Sequence, residues 1–185
     1  PAAGASGTPW PAWAAEALAW GREKSVSRAF LASPGQRLTR GAVARLLYES
    51  AGQPAAHEEC PFSDVSEKDA AAVGWAAGQG YLTGVGDGTY EPGRPVTRQE
   101  FAAILWRQAG TPEVPVQGLE RFGDAGTVSE WARDAVLWCQ QAGVMAGRSG
   151  DKLAPEDTIT TAEALVMLER AAGLPVEEAM EKCKI

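Results

Sequence analysis

Gly84-Val-Gly-Asp87-Gly-Thr-Tyr90-Glu-Pro92-Gly-Arg-Pro-Val96-Thr97-Arg98-Gln-Glu100-Phe101 reads as a glycine-rich loop, a proline-marked turn and a capped helix start. Thr97 and Glu100 have the Thr-x-x-Glu spacing of a capping box, in which the hydroxyl takes the N3 amide and the carboxylate returns to the cap's own N–H. Behind the cap, Phe101, Ile104 and Leu105 fall at i, i+3 and i+4, so the helix buries one narrow face. The same order recurs on both sides. Pro34 precedes Leu38-Thr39-Arg40, and Pro155 precedes Ile159-Thr160-Thr161, with Glu163 restoring the box and Ala42 failing to.

A first helical pattern lies upstream of each of these points. Trp20, Trp75 and Trp138 occupy equivalent places, and Ser25, Gly80 and Gly143 follow each by five residues, where glycine makes a good helix stop. The step from tryptophan to threonine cap is 22 residues in the second and third blocks and 19 in the first. Agreement in length, breakers and caps marks an internal triplication. The blocks run from Pro9 to Gly52, Phe62 to Gly110 and Phe122 to Gly173. Domain bounds follow: 1–52 for a divergent first repeat with an N-terminal extension, 53–110 and 111–173 for a linker plus repeat each, and 174–185 for a short acidic helical tail. A helical hairpin of roughly 45 residues buries too little apolar surface to offset chain entropy alone. The expected fold is therefore all-α, three helix-loop-helix repeats sharing a core as a pseudo-threefold, three-lobed bundle.

Composition excludes several functions. The chain has 185 residues, 45% of them hydrophobic, and no apolar run approaches the roughly 20 residues of a membrane span, so membrane insertion is not expected. Seventeen basic against 24 acidic side chains give a net charge of −7, which opposes nucleic-acid binding. The three cysteines have no CxxC spacing, so no metal or cofactor site is expected. One bridge at most is allowed, between Cys60 and Cys183, with free thiols the other reading. His57, the one histidine, stands in a polar connector, and no nucleophile elbow is present. Nothing assembles an acid, a base and a nucleophile, so the chain reads as a non-enzyme. It opens on Pro1 without a leader pattern, as a processed or excised piece would.

Taken together, Phe62-Ser-Asp64-Val, Gly80-Tyr-Leu-Thr-Gly84, Asp87-Gly88-Thr-Tyr90-Glu-Pro92 and Val96-Thr97-Arg98-Gln-Glu100-Phe101 resemble the S-layer homology module of bacterial surface proteins. Block three resembles it through Phe122-Gly-Asp124, Trp131-Ala132, Gly143-Val144-Met-Ala-Gly147, Gly150-Asp151 and Ile159 to Glu163, and block one through Trp13-Ala14, Pro34 and Leu38-Thr39-Arg40. The resemblance implies non-covalent attachment of an exported protein to peptidoglycan-linked secondary cell wall polysaccharide, through pyruvylated N-acetylmannosamine held in clefts between repeats. It also implies a place at the bacterial cell wall or S-layer and assembly with other surface-layer subunits. A protein-interaction or surface-assembly module that has lost glycan binding is the alternative.

Carried onto this chain, the family's Thr-Arg arginine is Arg98 in block two and Arg40 in block one, with Thr161 replacing it in block three. At most two anionic clefts are expected. Each arginine sits at N1, where the helix dipole disfavours a cation. That placement suggests a carboxylate receptor made of a guanidinium fork and free helix-start N–H groups. Gly84 and Asp87, with their counterparts Gly147 and Asp151, are candidate loop contacts; tight-turn duty is the competing reading. Trp13 and Trp131 are equivalent, with Lys68 in their place in block two, and are candidates for stacking on sugar C–H faces or for core packing.

Overall fold

The computed structural model describes residues 8–55, 59–114 and 117–174. His57, Cys183 and the acidic tail from residue 175 lie outside them, and with these the Cys60–Cys183 pairing. The described chain is helical: α1 (Ala15–Glu23), α2 (Arg28–Leu31), α3 (Arg40–Ser50), α4 (Glu67–Gly78), α5 (Arg98–Gln108), α6 (Arg133–Gln141) and α7 (Thr161–Ala172). Short 3-10 turns precede α1 and α6, and isolated β-bridges replace strands among the described residues.

Helix ends follow the sequence signals. Thr39, Thr97 and Thr160 accept the N3 amide of α3, α5 and α7, and the reciprocal carboxylate is present at Glu100 and Glu163 but not at Ala42. The three first helices stop as their spacing predicts, on residues with positive φ: Ser25 at 59°, Gly80 at 74° and Gly143 at 73°. A Cβ in that region costs energy that glycine avoids, and exposed Ser25 has no compensating side-chain bond among the described residues. Ser25→Gly is expected to raise stability by about 0.5–1 kcal/mol in urea unfolding, partly offset by the glycine's added unfolded-state freedom.

Sequence repeats are not the packing units. α3 packs against α4, α5 against α6, and α1 against α7, so each pair joins the second helix of one block to the first helix of the next, and the last block closes onto the first. The segments entering the second helices meet in a closed ring. Leu38 N–H donates to Ile159 C=O at 3.0 Å, Val96 N–H to Leu38 C=O at 3.0 Å, and Ile159 N–H to Val96 C=O at 2.9 Å. All three side chains are buried, with Phe101, Leu46, Leu47 and Leu165 in the same core.

The recurring prolines acquire a physical role here. Gly41, Gln99 and Ala162, the N2 residues of α3, α5 and α7, donate to Pro92, Pro155 and Pro34 at 2.9 Å each. The N1 amides of Arg40, Arg98 and Thr161 donate to Arg94, Asp157 and Gln36, also at 2.9 Å. Every second helix therefore has its orphan donors capped by the loop of another block. The expected receptor of free helix-start N–H groups is not formed, because the inter-block capping that holds the fold together uses those donors.

Candidate functional site

Two carboxylates shape the loops beside these helix starts. Asp64 accepts from the amides of Tyr90 and Glu91, and Asp124 from those of Leu153 and Ala154, all at 2.8 Å. Glu91 and Ala154 have positive φ, 57° and 49°, so each aspartate holds a strained turn in place. Burial pushes both carboxyls up, and the paired amides outweigh it, leaving them below the ordinary carboxylate range. Gly84 and Gly147 let the loops fold back closely. A Cβ there would lie 2.7 Å from Thr89 O or 2.8 Å from Lys152 O.

The pinned loops grip the motif arginines in the same way. Arg40 Nε donates to Tyr90 O at 2.7 Å and Nη2 to Thr83 O at 2.5 Å; Arg98 Nε donates to Leu153 O at 3.1 Å and Nη2 to Ala146 O at 2.7 Å. They part at Nη1. Arg98 Nη1 meets Glu163 Oε1 at 2.9 Å and the residue is 3% exposed, whereas among the described residues no carboxylate pairs with Arg40. Arg40 instead lies 4.3 Å from the centroid of the Tyr90 ring. In block two the carboxylate equivalent to Glu163, Glu100, is taken by Arg94 at 2.7 Å. Desolvation lowers the pKa of both Arg40 and Arg98, which stay charged.

Each grip borders a cleft. The first, about 240 Å³, gathers Arg40 from block one, Thr83, Gly84 and Arg107 from block two, and Trp131 from block three. The second, about 320 Å³, gathers Arg98 from block two, Gly147, Arg148 and Arg170 from block three, and Trp13 from block one. Trp13 and Trp131 are 60% and 58% exposed, so core packing does not account for them. Each cleft thus takes its wall from three blocks.

The sequence therefore brings Arg40, Gly84 and Trp131 into one cleft and Arg98, Gly147 and Trp13 into the other. Asp87 and Asp151 belong elsewhere: they stand exposed at the tips of two tight turns, bracketed by the bridges Gly86–Thr89 and Ser149–Lys152, and border neither cleft. Arg98 lies at its cleft with all three guanidinium nitrogens bonded to protein. Sequence reasoning passed over Arg107 and Arg170. Their shared place, ten residues after Thr97 and Thr160, was the available signal. In block three the motif position is Thr161, wholly buried and bonded to Gln36 O.

The family model described as S-layer homology domain matches residues 61–102 and 121–165. Similar proteins include Cell surface glycoprotein 1 of Acetivibrio thermocellus, 25% identical over 75% of this chain and 6% of its own length. Endo-1,4-beta-xylanase A of Thermoanaerobacterium saccharolyticum is 32% identical over 55% of this chain and 9% of its own, and Amylopullulanase of Thermoanaerobacterium thermosulfurigenes 31% identical over 60% and 6%. The chain thus spans a tenth or less of these relatives. Two segments of the chain match the S-layer homology domain, and together with the cell-surface relative this places it outside the cell, at the cell wall or S-layer. The matched family is a wall-binding and not a catalytic one, and the relatives named as enzymes share only a small part of their length with this chain.

Proposed function

We propose that the chain anchors an exported protein by holding peptidoglycan-linked secondary cell wall polysaccharide, through pyruvylated N-acetylmannosamine, in its two seams. The three blocks would act as three modules of one three-lobed unit, with block one as a divergent member. The ring of Leu38, Val96 and Ile159 and the closure of α1 onto α7 support that arrangement. The chain itself supplies no chemistry that alters the polymer; it binds. The observation that carries the reading is the repetition of one cleft design, an exposed indole and arginines lining the same cleft, twice in a chain of net charge −7.

An acidic protein gains little from long-range attraction to an acidic polymer, so affinity must come from local cations and from stacking. Two clefts on one polymer chain would add avidity. Burial of Arg98 against Glu163 favours a second reading for that seam, a protein contact with no glycan in it, including contact with other surface-layer subunits. Titration of purified wall polysaccharide, with the same polymer after removal of pyruvate as control, separates the two. The expected result is saturable binding to the pyruvylated polymer alone, with a change in tryptophan fluorescence from exposed Trp13 and Trp131. Equal binding to both polymers would overturn the proposal.

A further inference from the structure

In each cleft most cations are already committed. Arg98 has every guanidinium nitrogen bonded to protein. Arg148 spends Nε and Nη2 on Glu163, Nη2 also on Thr158 O, and Nη1 on Asp157. Arg94 is divided between Glu100 and Glu91. Arg40, also without a carboxylate among the described residues, spends Nε and Nη2 on short bonds to Tyr90 O and Thr83 O and lies over the Tyr90 ring; Arg107 and Arg170 differ. Among the described residues neither has a carboxylate partner, and each makes one long bond to a backbone carbonyl, Arg107 to Tyr81 O at 3.3 Å and Arg170 to Gly143 O at 3.4 Å.

These two side chains occupy the same place, ten residues after the threonine caps of α5 and α7. Each borders a cleft that also holds one of the two exposed tryptophans. Block one supplies an internal comparison. Its residue at that place is Glu49, which accepts from Ser27 N–H at 2.8 Å, and the position equivalent to the tryptophans, in block two, is Lys68. The third seam has therefore lost the arginine, the indole and the motif arginine together, with Glu49, Lys68 and Thr161 in their places. A packing role for any one position would not require the three to change as a set, whereas a shared ligand would.

Resting on the anchoring reading, we infer that Arg107 and Arg170, each sharing a cleft with an indole carried by another block, are the ligand-facing cations of the two clefts, and that Arg98 is not one. A sugar that lays its apolar face on Trp131 or Trp13 presents its carboxylate to a guanidinium with hydrogen-bonding capacity to spare. The third seam takes no acidic sugar, so one chain holds two. A charged hydrogen bond of this kind sets about a ten- to hundredfold difference in affinity.

The test is calorimetric titration of pyruvylated N-acetylmannosamine into the full chain, with the sugar lacking pyruvate as control. Arg107→Gln and Arg170→Gln keep a polar side chain at positions that bear little structural load, and thermal unfolding checks that they fold. The expected result is that each variant weakens one of two sites about ten- to hundredfold and the double variant weakens both, with weak binding of the control sugar unchanged. A double variant that binds like the unaltered chain overturns the inference and leaves the anchoring reading standing. An unaltered chain that treats both sugars alike overturns both.

Discussion

Glu163→Ala is expected to destabilise the chain by about 3–5 kcal/mol, the cost of removing one partner from a buried ion pair and leaving the other uncompensated. Arg98 is 3% exposed and the Glu163 side chain 13% exposed, so water cannot fully replace the lost carboxylate. The same substitution removes the capping box of α7 and frees Arg148, which grips both carboxylate oxygens. Urea unfolding measures the loss, and Glu163→Gln should lie between the two, since an amide can still accept the Thr160 N–H. Burial alone would push the Glu163 carboxyl up, but Arg148, the Thr160 amide and Arg98 outweigh it and hold it below the ordinary range. A depressed folded-state value stabilises above the unfolded value and loses that contribution as pH falls through the folded one. The variant should therefore show a shallower loss of stability on acidification than the unaltered chain.

Tyr90→Ala is expected to cost about 3–5 kcal/mol as well, by a different route. Its side chain is wholly buried, stacks on Phe62 at 5.3 Å between centroids and carries the Arg40 guanidinium on its other contacts. Truncation leaves a ring-sized void that the pinned loop cannot collapse to fill. Tyr90→Phe isolates one component, the hydroxyl donating to Arg40 O at 2.9 Å, and should cost about 1 kcal/mol. The alanine variant keeps the backbone carbonyl that accepts from Arg40 Nε but removes the ring against which the Arg40 guanidinium lies, so it should loosen Arg40 and weaken binding in the first cleft more than in the second. Comparing urea midpoints with site-resolved affinities separates the two effects.

Of the residues that made the repeat visible, the three prolines turn out to accept the inter-block bonds. Threonine caps, the helix stops at Gly80 and Gly143, and the three prolines all act through local backbone geometry, which a sequence displays directly. Helix pairing was not legible, since an apolar face at i, i+3 and i+4 specifies that a partner exists and not which one; hence each block read as a hairpin while its helices in fact pack onto neighbours. The candidate site was legible in part for the same reason. Trp13, Trp131, Arg40, Gly84 and Gly147 were recognised by position in the repeat and do meet at the clefts. The state of Arg98 was not, because its partner Glu163 is 65 residues away. Arg107 and Arg170 share a place in the repeat, ten residues after Thr97 and Thr160, but nothing in their local sequence marks that place as the border of a cleft.

Closure of α1 onto α7 has a mechanical consequence. Trp13 and the α7 arginine at Arg170 border the same cleft although some 150 residues of chain separate them, so that grip exists only while the first and last helices stay clasped. A tug transmitted along the backbone beyond either helix loads the clasp in which the second seam resides, whereas the first seam draws its arginines from α3 and α5, deeper in the sequence. Under rising tension the second hold should let go before the first, giving a graded release in place of a single rupture.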